Sequence, residues 1–136
     1  MSSSTVDLAA AFRGLPPVKQ EEGKFKYVNS RNCAYDKKKD VKSVKFSISR
    51  YGKYEETIIF NAPVTQKDAI EAVEKYLSVP LTQEYYEKIQ DDTFHEYPWE
   101  TAKEFFKCRG AVMTDAIFLE GTKINSDGQL TFSIGS

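Results

Sequence analysis

VKFSISRYGKYEETIIFNAPVTQKDAIEAVEKYLS, residues 44–78, places two different hydrophobic periods back to back. Val44, Phe46 and Ile48 alternate with Lys45 and Ser47, the period of two that gives a strand one buried and one wet face. Arg50-Tyr51-Gly52-Lys53 supplies a Gly-containing turn, and residues 55–60 continue as a β-branched strand, so the two runs read as a hairpin. Pro63 ends it. Thr65 and Asp68 then form a capping pair, with Asp where Glu or Gln is usual. Behind them Ala69, Ile70, Val73, Tyr76 and Leu77 recur at helical spacing, while Lys67, Glu71, Glu74 and Lys75 face water. This predicts a helix over 65–78 that packs Ile70, Val73 and Leu77 on a sheet face made by Val44, Phe46, Ile48 and Ile59.

Upstream, Phe25 and Tyr27 alternate with Lys24 and Lys26, a first short strand over 24–28. Residues 1–23 read as an arm that opens on Ser2, Ser3 and Ser4 and closes on Pro16-Pro17 and Gly23. Leu8, Phe12 and Leu15 fall on one side of it, so the arm is either loose or laid on a neighbouring surface. Downstream, Pro80 breaks the main helix. Thr82 caps a shorter one carrying Tyr85, Tyr86 and Ile89. Pro98 starts a third, with Trp99, Ala102, Phe105 and Phe106 near one side, and Gly110 stops it. Residues 116–124 and 130–134 are strands again, joined through Ser126-Asp127-Gly128.

The expected fold class is therefore α+β. A mixed sheet carries an N-terminal hairpin, one main amphipathic helix, two further short helices and a C-terminal hairpin. Residues 24–136 are read as one domain, with 79–110 a helical insertion. The order hairpin, capped helix, then FLEGTKINSDGQLTFSIGS at residues 118–136 resembles the ubiquitin-like β-grasp. That resemblance implies a scaffold that recognises other proteins. The chain stops at Gly135-Ser136 rather than Gly-Gly, which argues against a conjugatable modifier. In size and in its Lys/Tyr/Phe-rich texture the chain is similar to small proteins of large double-stranded DNA viruses, which implies a structural, virion-associated role.

At 136 residues the chain has room for one real core. It has no apolar run of membrane-spanning length, and its first residues lack the basic and apolar regions of a signal peptide. A soluble, intracellular protein is expected. Cys33 and Cys108 lie 75 positions apart with no CxxC, and both are expected to be reduced.

Little here points to chemistry. The single histidine, His95, sits among Asp91, Asp92 and Glu96 at spacings that match no metal-ligand motif, and reads as part of a polar connection. It is also the only histidine base available to a nucleophile. Cys108 precedes Arg109, whose charge favours a thiolate, yet a cysteine at a helix end reads first as packing. Phosphate-cradling loops of the GxxxxGK and GxGxxG kinds do not occur. The expectation is a non-enzymatic protein with no catalytic residues, no metal and no cofactor.

Charge is the main functional signal. Residues 24–53 carry ten Lys/Arg and two acids, a local charge of +8, and residues 54–100 carry three bases and eleven acids, a local charge of −8. The net charge of −1 conceals this segregation. Opposite potentials on separate faces favour self-association or a place between unlike neighbours in an assembly. The densest basic run, Lys37, Lys38, Lys39 and Lys42, is the first candidate interaction site. The aromatic group Tyr85, Tyr86, Tyr97 and Trp99 is the second, because Tyr and Trp dominate interfaces, with a satellite core as its alternative. A protein partner or a second copy is expected. The alternative is a nucleic-acid-binding accessory protein using residues 24–53, with lysines on phosphates and Tyr27, Tyr35 and Tyr51 stacking on bases.

Overall fold

The structure is a computed structural model that describes residues 23–29, 35–48, 54–89, 97–113 and 117–135. Its elements are β1 (Val41–Ser47), β2 (Glu55–Val64), α1 (Gln66–Leu77), α2 (Gln83–Ile89), α3 (Trp99–Phe105), a 3-10 turn (Arg109–Met113), β3 (Phe118–Ile124) and β4 (Gln129–Gly135). The strands form one mixed sheet in the order β2-β1-β4-β3. Both hairpins are antiparallel, and they meet through a parallel pairing of β1 with β4 at the centre. The α+β class expected from sequence is what the chain adopts.

Each hairpin turns where its sequence allows. Ile48 donates its N–H to the Tyr54 carbonyl at 2.9 Å, the last described rung of the first hairpin; Arg50-Tyr51-Gly52-Lys53, expected as its turn, lies outside the described residues. In the second, the Asn125 side-chain oxygen accepts from the N–H groups of Asp127 at 2.9 Å and Gln129 at 3.0 Å. Gly128 completes that turn at φ 80°, where a Cβ would also lie 3.0 Å from the Lys42 side chain. Between the pairs Val41↔Val64 and Ser43↔Ile59, β2 bulges over residues 60–63 against the single Lys42. Pro63, which has no N–H to give a ladder, falls in this bulge on the edge strand.

Helix α1 starts as expected. Thr65 Oγ1 accepts from the Asp68 N–H at 3.1 Å, and the Asp68 carboxylate accepts from the Thr65 N–H at 3.5 Å. Ala69, Ile70, Val73 and Leu77 are buried, in one cluster with Val44, Phe46 and Ile48 of the first hairpin and Leu130 of β4. Tyr76 adds an edge-on ring contact to Phe46 at 5.5 Å between centroids.

Ile59 corrects the expected core. β1 sets Val44 opposite Ile58 and Ser43 opposite Ile59. Ile58 and Phe60 therefore face the helix, half-buried, and Ile59 points the other way with 80% of its surface exposed. The run Thr57-Ile58-Ile59-Phe60 has no polar alternation, so only the register with β1 decides its parity.

The segment expected as a first strand makes a single ladder contact. Val28 bridges β3 through Val28 N–H to Ile117 carbonyl at 2.9 Å and Leu119 N–H to Val28 carbonyl at 2.7 Å. Ahead of it the backbone is held by helix α1 instead. Ser78 Oγ accepts from the Phe25 N–H, and the Glu74 carboxylate accepts from the Tyr27 N–H, both at 2.9 Å. The alternation survives in this strap: Phe25 and Tyr27 are buried, Lys24 and Lys26 exposed.

After Ser78 the chain makes one further bridge, Pro80 with Cys108, and Arg109 donates its N–H to the Val79 carbonyl at 2.9 Å. Thr82 caps α2 through the Tyr85 N–H at 3.2 Å. Pro98 is the N-cap of α3. The third helix does not run to Gly110. It ends at Phe105, with Phe106 extended at φ −104° and ψ 95°, because the chain must straighten to meet Pro80. Gly110 lies in the 3-10 turn, where a Cβ would overlap the Phe25 ring. Among the described residues no helix is long and apolar enough to cross a membrane.

Two predictions follow from this packing. Val73→Ala should cost about 1–3 kcal/mol, at the lower end of large-to-small core changes, whereas Ile59→Thr should stay within about 0.5 kcal/mol of the parent; urea unfolding of both variants checks the pair. Burial, opposed by the Tyr27 N–H bond and by Lys26, pushes the Glu74 carboxyl above its ordinary range. The folded chain then holds that proton more tightly than the unfolded chain, so the contribution is present in acid and lost as pH rises past the raised value. Glu74→Gln keeps an acceptor for Tyr27 and should flatten the fall in unfolding midpoint as pH rises above the ordinary carboxyl range.

Candidate functional site

Lys37, Lys38, Lys39 and Lys42 stand on a constrained path into β1. Tyr35 packs against the core at one end, and at the other Lys42 and Ser43 donate their N–H groups to the Gly128 carbonyl at 2.7 and 3.3 Å. Between them Asp36 accepts from the Lys38 N–H at 2.9 Å, a local turn that an Asp side chain is suited to close. All four lysines are exposed, and none makes an ion pair with a described residue. Asp36 and Asp40, also exposed, bracket the run.

The sequence segregates charge more than the fold does. β1 from the basic stretch lies beside β2 from the acidic one, and Lys45 meets Glu55 at 3.4 Å. Lys88 meets Glu56 at 3.2 Å, and Lys26 lies close enough to Glu74 to affect its titration. Two separate faces of opposite sign are therefore not what the hairpin makes; pairing strands of opposite charge interleaves them. The lysine run lies beyond that neutralised zone.

The aromatic group comes together, but largely as core. Tyr85 is 8% exposed and Tyr86 fully buried, which corrects their reading as contact residues. Tyr86 donates its hydroxyl to the Tyr97 carbonyl at 2.6 Å, and its ring lies 5.9 Å from that of Trp99. Tyr97 stacks obliquely on Phe105 at 6.1 Å and stays exposed, and Trp99 is half-buried. These side chains tie α2 to α3 and leave Tyr97 as the exposed member of the group.

Tyr27 does not serve a base-stacking role either. Its ring is buried edge-on to Phe25 at 4.8 Å and Phe132 at 5.2 Å, and burial beside Glu74 pushes its phenol well above the ordinary range. Tyr51, Cys33, Asp91, Asp92, His95 and Glu96 lie outside the described residues. Cys108 is a free, buried thiol whose burial raises its pKa despite the N–H groups of Ala111 and Gly110 beside it. Among the described residues no group of three or more His, Cys, Asp or Glu could hold a metal ion.

One constellation escaped the sequence. The Arg109 guanidinium carbon lies over the rings of Tyr76 at 4.5 Å and Tyr85 at 4.4 Å. At the rim Glu56 accepts from the Tyr76 hydroxyl at 3.3 Å and from Lys88 at 3.2 Å. Burial and the adjacent Tyr76 keep the Tyr85 hydroxyl protonated far above the usual range, Arg109 only partly offsetting them. No local spacing links Glu56, Tyr76, Tyr85 and Arg109. The bridge of Pro80 to Cys108 brings them together.

Neither a protein-family model, nor a curated protein, nor a solved structure matches this chain. The case for function therefore rests on these side chains. One consequence is directly measurable: Cys108 should react slowly with iodoacetamide at neutral pH in the folded protein and fully once the protein is unfolded, as mass spectrometry of the alkylated peptide would show.

Proposed function

We propose that this chain is a non-enzymatic protein–protein interaction module that docks on an acidic protein surface through Lys37, Lys38, Lys39 and Lys42. The observation that carries the reading is the presentation of this run. Four exposed ammonium groups are fixed to a backbone anchored at Tyr35 and at Gly128, clear of the acids that neutralise Lys45 and Lys88. Charges so placed steer an encounter over about 8 Å at physiological salt, and anchoring the backbone reduces what is lost when the partner orders the loop.

A scaffold role is supported by topology. Two antiparallel hairpins meet in a central parallel pair, with three helices between them in the chain. Such a frame supplies a rigid sheet from which loops project, a suitable base for one component of a larger assembly.

Replacing Lys37, Lys38 and Lys39 together with Gln tests the reading. Light scattering would follow complex formation with polyglutamate, and with a single-stranded oligonucleotide, at low and high salt. The expected result is salt-sensitive association with polyglutamate that weakens at least about tenfold in the triple variant, with an unfolding free energy within about 0.5 kcal/mol of the parent. Equal association and equal salt slope in the two proteins would reduce the run to a solvating loop. Tighter binding of the oligonucleotide than of polyglutamate would transfer the site to nucleic acid.

A further inference from the structure

We propose that Arg109 is a preformed receptor for a carboxylate carried by a partner protein, a second contact point distinct from the lysine run. Its place in the fold separates the two. Lys42 lies beside Gly128 at the start of β1, whereas Arg109 and Glu56 gather where β1 ends, since Glu56 pairs with Phe46.

Three observations point to a missing anion. First, the guanidinium is fixed: its backbone N–H is bonded to Val79 at 2.9 Å, and its planar head lies against Tyr76 and Tyr85. Secondly, Arg109 makes no ion pair among the described residues, and the acid at the rim, Glu56, is already held by Tyr76 and Lys88. Thirdly, Arg109 Nε is buried and has no acceptor, so the donors left to an incoming group are the terminal nitrogens, which make no hydrogen bond or ion pair with a described residue.

The physical chemistry favours one class of occupant. Aromatic rings stabilise a cation through their faces but leave the in-plane donors unused. A guanidinium presents those donors as a fork that matches a carboxylate in two parallel hydrogen bonds. Among the described residues, Arg109 and Lys88 against Glu56 leave one excess positive charge, which suits a monoanion. A phosphate dianion would meet the Glu56 carboxylate with its second charge. An Asp or Glu side chain and a chain terminus offer the same two carboxylate oxygens, and the probes below tell them apart.

The test uses the full-length, isotope-labelled protein and follows the Arg109 Nε–H resonance, identified by its loss in Arg109→Lys. Four probes are titrated at constant ionic strength: acetate, a Glu-containing peptide with an amidated end, an acid-free peptide with a free C-terminus, and inorganic phosphate. A saturable shift with acetate and with one of the two peptides is expected, and the peptide that binds identifies the source of the carboxylate. Affinity, followed in this variant by the backbone amide resonances of Tyr76 and Tyr85, should fall about tenfold or more in Arg109→Gln, the loss expected of a charge-assisted hydrogen-bonded pair. Glu56→Gln removes the competing carboxylate and should tighten binding, a response that a purely structural arginine would not give. Absence of a saturable shift with every carboxylate overturns the proposal, and so does a phosphate shift at lower concentration than acetate. The Lys37, Lys38 and Lys39 variant should titrate like the parent, so failure here and failure of the lysine reading are separately visible.

Discussion

The two hairpins become one sheet through a very short contact. Ser43 and Val44 of β1 lie beside Gln129 and Leu130 of β4, and the Gly128 carbonyl accepts two N–H groups from Lys42 and Ser43. Hydrogen bonds of this kind contribute about 0.5–1.5 kcal/mol each, too little to order residues more than 80 positions apart in sequence. What fixes the contact is the apolar layer behind it. Val44 and Leu130, side by side, are both fully buried in the cluster that contains Val73 and Leu77 of α1. Each such side chain contributes about 1.5–3 kcal/mol when buried. The helix thus clamps the central strands, and the strap at Phe25–Val28 is pinned in turn by Glu74 and Ser78 at that helix's end.

Features whose cause lies within a few residues were legible in the sequence. The capping pair Thr65 and Asp68, the Thr82 cap, the Pro98 start and the Gly128 turn each depend on neighbours no more than four positions away. Features decided by distant partners were not. Ile59 and Ile58 are chemically interchangeable, and only pairing with Ser43 and Val44 assigns them to opposite faces. The third helix ends at Phe105 because Cys108 must reach Pro80, a demand that no propensity near Phe105 announces. The strap reads as a strand because its alternation is that of a strand, yet most of its backbone partners are side chains of a helix.

The same division runs through the candidate sites. Lys37, Lys38 and Lys39 could be read as exposed because a run of ammonium groups almost never enters a core. Tyrosine carries no such guarantee. Tyr85 and Tyr86 have the composition of a contact surface and the position of a core, with Tyr86 settling its hydroxyl on the Tyr97 carbonyl. Arg109 was visible only as a neighbour of Cys108. Its stacking on Tyr76 and Tyr85 requires the chain to close a loop of more than 20 residues at Pro80 and Cys108.

Pairing β1 with β2 spends much of the opposite charge on itself, through Lys45 with Glu55 and, from α2, Lys88 with Glu56. Two cationic features outlast that neutralisation, at opposite ends of the sheet, and they obey different physics. The lysine side chains are long, mobile and strongly hydrated, so their influence is long in range, weak in geometry and sensitive to salt. Arg109 is half-buried and braced by rings, so it acts only on contact, in a low-dielectric setting and in a defined orientation. A surface that has only the first kind of charge captures many acidic partners without discriminating among them. Under the two proposals above, a braced guanidinium at the far end would make discrimination depend on whether a partner's carboxylate arrives at the spacing that the sheet sets between the two.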